Sequence, residues 1–198
     1  MKRKQKDGFC AIDCILCCAD NAIDSRSVRN DDILVMKSGV TVEVNNTDAE
    51  GRLVLGDGVY HACTETGGAP DVVIDMATLT GAQGVATGLR HAAVLTASVQ
   101  WEDKILAAGK KSGDLCFPIL YCPEFNAPEY KSNVADVKNS VANRANSLAS
   151  CAGYFIENNL PKDYKGAWLH IDMAYPVAND RGAVGFGVAL IAEALELF

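Results

Sequence analysis

The sequence predicts a layered α/β domain, and three observations predict it. Short apolar or alternating runs suited to strands recur between longer runs with helical spacing, the pattern of α/β layers. Apolar residues make up 49% of the chain and charged residues 22%, which describes an ordinary globule and excludes a mainly disordered chain. At 198 residues, one domain can bury roughly 70% of the surface its extended chain exposes, without needing staples.

Taken in order, residues 1–8 read as a basic tail and 9–198 as one domain with no internal boundary or repeat. Phe9 to Ala19, partly β-branched and rich in cysteine, predicts a buried strand, and polar Asp20 to Asp32 a loop. Val40, Val42 and Val44 alternate with Thr41 and Glu43, a strand with one buried face. It runs into Asn45-Asn46-Thr47-Asp48, a cluster of turn and cap residues. Leu53, Val54, Val59, Tyr60 and Cys63 fall at helical spacing over Glu50–Cys63. Gly56 and Gly58 weaken that helix by about 1 kcal/mol each relative to alanine unless a neighbour packs closely there. Asp71–Asp75 is the next strand, ending in the turn Thr78-Leu79-Thr80-Gly81, and His91–Ala97 another. Trp101–Lys111 predicts an amphipathic helix closed by Gly113. Pro118–Glu129, with three prolines, reads mainly as loop. Ser147–Asn158 predicts a packed helix, Trp168–Met173 a strand, and Gly187–Leu197 a terminal helix with an apolar stripe.

A net charge of −7 argues against a general nucleic-acid binder, which needs a basic face. No run approaches the roughly 18 apolar residues of a membrane helix. Asp7 and Asp13 interrupt the signal-like N-terminus. Eight scattered or clustered cysteines in a chain of this size suit reduced thiols in the cytosol better than a secreted framework.

Chemistry concentrates in Asn46-Thr47-Asp48-Ala49-Glu50-Gly51-Arg52, between a strand and a helix, where α/β proteins often place sites. On an extended backbone, Asp48 and Glu50 would point the same way. Two hard oxygen donors and a free carbonyl suit Zn²⁺, Mn²⁺ or Mg²⁺. A glutamate can bridge two ions about 3.5–4 Å apart, and Arg52 offers a planar fork for an anion. A plainer account stands beside this one: Thr47 or Asp48 caps the helix, Glu50 favours its positive end, and Arg52 is solvated.

The order of motifs adds to this. Asn46-Thr47-Asp48-Ala49-Glu50-Gly51-Arg52-Leu53-Val54-Leu55 resembles the signature of the leucyl aminopeptidase family, the dinuclear-metal cytosol aminopeptidases. Asp75–Ala82, Ser147–Gly153, Trp168–Ala174 and Gly185–Val188 follow in the family's order, closest to its animal branch. The resemblance implies a mixed β-sheet flanked by helices, incomplete at its N-terminal side. It implies release of N-terminal residues from peptides with two divalent metal ions, Zn or Mn. Asp48 would ligate one metal and Glu50 would bridge both. Arg52 would hold a bicarbonate ion that takes a proton from the attacking water. Leu79 would position substrate through its carbonyl, and Thr78, Gly81 and Ala149 would border the pocket for the first side chain. It also implies a cytoplasmic homo-oligomer, a hexamer in the family. The family's upstream glycine-rich segment, with its lysine and aspartate ligands, has no counterpart here, and Lys37, Asp31 and Asp32 stand at the wrong place to replace it. The chain is thus expected to supply part of a metal cage. An alternative is a non-catalytic assembly subunit that keeps the fold.

Other signals carry less. Cys14-x-x-Cys17 has no second pair. Gly81, Gly84 and Gly88 do not follow the dinucleotide spacing. His61 and His91 stand apart, and His170 reads as structural, alternating with Trp168 and Asp172 on one strand.

Overall fold

The computed structural model describes residues 3–4 and 10–197. In chain order the strands are β1 (Arg3–Lys4), β2 (Cys10–Ala11), β3 (Ile33–Val35), β4 (Thr41–Glu43), β5 (Val72–Ala77), β6 (Ala92–Leu95), β7 (Cys116–Pro118), β8 (Val137–Lys138), β9 (Ala167–Asp172), β10 (Ala178–Asn179) and β11 (Gly182–Ala183). The helices are α1 (Gly51–Thr64), α2 (Ala82–Thr87), α3 (Val99–Ser112), α4 (Pro123–Asn126), α5 (Leu148–Glu157) and α6 (Val188–Ala194). The central sheet has the order β5-β9-β6-β7; β5 runs parallel to β9, β9 antiparallel to β6, and β6 parallel to β7. A second sheet, β3-β4-β8, leads into the site. The predicted mixed sheet flanked by helices is present.

Alternation along the central strands sets the two faces. Val73, Leu95 and Trp168 pack with Leu55 and Val59 of α1 and Ile156 of α5. Ala92, Val94, Leu169 and Ile171 pack with Ile105 of α3 and Leu190 of α6. The side chains alternate because the strand period is two, so β9 feeds both cores. The glycines of α1 sit where neighbours approach closely. A Cβ at Gly56 would lie 2.9 Å from both Asn159 Nδ2 and Met36 Cε, and one at Gly58 would collide with Cys17 Sγ. Helix α3 ends as expected at Gly113, whose φ of 87° is a left-handed cap.

Two expectations are overturned. Phe9–Ala19 is not a continuous strand: Cys10–Ala11 pairs with Arg3–Lys4, while residues 12–19 have no regular structure. Ile15 and Cys17 pack against the first core while Ile12 and Leu16 are exposed, so the alternation exists without a ladder partner to make it a strand. Phe9 and, apart from Arg3–Lys4, the basic tail over residues 1–8 lie outside the described residues. Pro118–Glu129 is not mainly loop, for it holds α4 and a 3-10 turn over Ala127–Tyr130. Pro123 and Pro128 sit in first turns, where a missing N–H costs nothing. Among the described residues no helix is long and apolar enough to cross a membrane.

Candidate active site

The chain leaves β4 and turns sharply before α1, and two asparagines fix that turn. Asn46 is extended (φ −154°, ψ 110°), and its side-chain oxygen accepts from the Asp48 amide at 3.0 Å. Asn139, fully buried, accepts from the Asn45 and Asn46 amides at 3.0 and 3.2 Å. Its own amide group donates to the Asn46 and Ala49 carbonyls at 2.6 and 3.3 Å. Asn46 thus caps the 3-10 turn, while α1, whose N-cap position is Glu50, has no side-chain cap, so neither Thr47 nor Asp48 caps the helix. The backbone over Thr47–Ala49 is a 3-10 turn and Glu50 is helical, so Asp48 and Glu50 are not aligned by an extended strand. Both are exposed at a cleft of about 800 Å³.

Arg52 lines the same cleft but is buried, with 9% exposure, which overturns the solvated reading. One guanidinium nitrogen donates to the Tyr130 hydroxyl at 3.0 Å, and that hydroxyl donates to the Cys151 carbonyl at 2.7 Å. Arg52 Nε has no partner, and among the described residues no carboxylate pairs with the guanidinium. A buried cation that lines a cleft and has no carboxylate partner suits an anion. Thr78 and Leu79 join the cleft from the end of β5, and Leu79 Cδ1 lies 3.3 Å from where a Cβ on Gly51 would stand. Gly81, exposed before α2, and Ala149, buried in α5, are not among the cleft-lining residues. The same test gives a different result for metals. Among the described residues no group of three or more His, Cys, Asp or Glu could hold an ion. Asp48 and Glu50 alone are too few donors for a dinuclear centre.

The model of the cytosol aminopeptidase family, catalytic domain, matches residues 4–192. The chain belongs to this family. It is 54% identical over 191 residues to a mouse probable aminopeptidase, NPEPL1, covering 96% of this chain and 36% of that protein. It is 44% identical over 193 residues to leucine aminopeptidase 1 of Caenorhabditis elegans, covering 96% of this chain and 39% of that one. An apo structure of leucyl aminopeptidase from Trypanosoma brucei superposes with a TM-score of 0.89 at 58% identity, covering 91% of this chain and 36% of that chain. The chain thus spans little more than a third of the length of these relatives.

In this chain of the cytosol aminopeptidase family, two buried carboxylates that sequence reasoning missed shape the cleft, Asp75 from its wall and Asp172 from behind it. Asp172, fully buried, accepts from the amides of Leu79, Thr80 and Ala174 at 3.1, 3.3 and 3.3 Å and from the Thr80 hydroxyl at 2.6 Å. It ties the Thr78–Thr80 loop to the end of β9. Asp172→Asn replaces charge-assisted bonds with neutral ones at a cost of about 1–2 kcal/mol. Hydrogen exchange at the Leu79 and Thr80 amides is then expected to quicken by about tenfold, measured by NMR; unchanged protection would refute the tether.

Asp75 is the second carboxylate. It accepts from Trp168 Nε1 at 2.8 Å and from His170 Nδ1 at 2.5 Å, with Trp168 and His170 stacked. Burial alone would push the His170 pKa down, but the charge and hydrogen bond of Asp75 outweigh it and hold the pKa above its ordinary value. His170 is therefore a buried side chain held by Asp75, in keeping with the structural reading of its strand position. Burial first, and then the charge of Asp75, push the Cys17 thiol up, the direction that disfavours a reactive thiolate. A Trp-x-His pair on one strand opposite an Asp on the next was the available signal for this network, but it needed the β5–β9 register to be seen.

Proposed function

We propose that this chain forms part of a metal-dependent aminopeptidase that releases N-terminal residues from peptides in the cytosol. The observation that carries the reading is one cleft that joins Asp48 and Glu50 to the buried, acid-free Arg52 beside Thr78 and Leu79, in a chain of the cytosol aminopeptidase family. Asp48 and Glu50 are this chain's share of the carboxylate ligands, fewer than two ions require. Arg52 fits a bicarbonate ion, which when bound supplies a proton acceptor beside the reacting carbonyl. Through this chain's own residues, Arg52 anchors that anion by a charged fork, and Leu79 offers its backbone carbonyl to the peptide. Asp172 accepts from the Thr80 amide at 3.3 Å, the other end of the planar Leu79–Thr80 peptide unit, and so fixes which way the Leu79 carbonyl faces.

One observation favours a second reading, a non-catalytic subunit that keeps the fold and assembles with complete chains. No three-ligand metal group is present among the described residues. Metal binding separates the two readings. The enzyme reading expects Mn²⁺ or Zn²⁺ to bind the purified chain weakly through Asp48 and Glu50, and leucyl-anilide to be hydrolysed once the upstream region of a relative supplies the remaining ligands. Glu50→Gln should weaken metal affinity by at least about 10²-fold, since even outer-shell changes cost 10–100-fold. No metal uptake, together with a native mass above that of the monomer, supports the assembly subunit instead.

A further inference from the structure

A recess of about 580 Å³ opens where α5 ends and β9 begins, and it shares no lining residue with the active-site cleft. Tyr121, Tyr154 and Tyr164 contribute to its walls, and Glu157 brings a carboxylate. Glu157 is half-buried, and its Oε1 accepts from the Tyr121 hydroxyl at 2.7 Å. Burial holds its pKa above the ordinary carboxylate value, with the Tyr121 bond opposing only in part. Among the described residues no lysine or arginine pairs with it, although Lys162 also lines the recess.

These features select for a cation. A half-buried carboxylate without a counter-charge gains from a positive partner, and phenol faces carry negative potential that attracts the same charge. An inorganic ion is a poor fit, because one carboxylate cannot complete a hard-ion shell and no three-ligand group is present among the described residues. The volume suits a small organic group. We propose that this recess binds an organic ammonium group, presented by a small quaternary amine or by a lysine side chain.

The test titrates the purified chain with choline chloride at constant ionic strength and follows the backbone amides of Glu157 to Tyr164 by NMR. Saturable shifts are expected. The neutral isostere 3,3-dimethylbutanol is expected to bind at least about tenfold more weakly, because the charge supplies the attraction. Glu157→Gln should weaken choline binding by about tenfold, whereas Tyr121→Phe, which keeps the ring and frees Oε1, should preserve it. Titration with Nα-acetyl-lysine methylamide identifies the source: tighter binding than choline assigns a peptide lysine, weaker binding a quaternary amine. The proposal is overturned if choline gives no saturable shift, if dimethylbutanol matches it, or if Glu157→Gln binds choline as tightly as the parent. Should Glu157→Gln not fold, the comparison of choline with its neutral isostere decides alone.

Discussion

Asp75→Ala is expected to destabilise the chain by about 3–5 kcal/mol, the cost of stripping one partner from a buried pair. Asp75 is 6% exposed, and it is the acceptor for both Trp168 Nε1 and His170 Nδ1, two groups that are themselves buried. His170 Nε2 already lacks a partner, so the ring would lose its only hydrogen bond. A drop in the urea midpoint measures the loss. The sign of the pH dependence follows from the raised His170 pKa. A base raised above its unfolded value of about 6.5 contributes fully below that pH, and its contribution fades as pH climbs through the folded value. Cys63, Cys151 and Cys116, pushed up mainly by burial to about 11, 11 and 12, and Cys17, raised in the same direction, act as their unfolded thiols ionise toward pH 9. The window between about pH 6.5 and 8 therefore reports on His170. The parent's midpoint should fall across it, and that of Asp75→Asn should stay level. A flat parent profile would show a neutral imidazole and remove the ion pair.

Legibility in the sequence follows how local each decision is. Helix α1, the cap at Gly113 and the alternation of β4 and β9 depend on neighbours within a few residues, and periodicity finds them. The segment from Ile12 to Ala19 alternates as a strand does, yet a ladder is a property of two segments, and no run of one chain reveals whether its partner is there. Pro123 and Pro128 read as breakers because sequence shows the missing N–H but not that each falls in a first helical turn. At the site, the acidic heptapeptide was visible, but the reason first given for its geometry was wrong: Asp48 and Glu50 share a cleft through a turn clamped by Asn139, some ninety residues away. Asp172 and Asp75 act through strand register and loop amides, which only the folded chain defines. Arg52 does not read as buried, because a charge near a helix start is ordinarily solvated, and the Tyr130 hydroxyl that receives it lies 78 residues away.

That burial yields the last large expectation. Arg52→Met should raise stability by about 1–3 kcal/mol, because it replaces an uncompensated buried cation with an apolar side chain of similar length. The hydroxyl of Tyr130 keeps its donor bond to Cys151 when the guanidinium is gone, so the change strands no buried donor. A residue that lowers stability where it stands is retained for what it binds, and bicarbonate separates the two roles without any assay of turnover. An anion seated on Arg52 in the folded state alone should raise the parent's urea midpoint as bicarbonate is added, by RT ln(1 + [L]/Kd). Arg52→Met should start higher and not respond. Arg52→Lys keeps the charge but loses the planar fork and the Nε donor, and it should respond only weakly. If Arg52→Met instead lowers the midpoint, the bond to Tyr130 outweighs the desolvated charge and the guanidinium is a structural brace. If the parent ignores bicarbonate while a tetrahedral anion such as sulfate shifts it, the cleft recognises an anion of another shape.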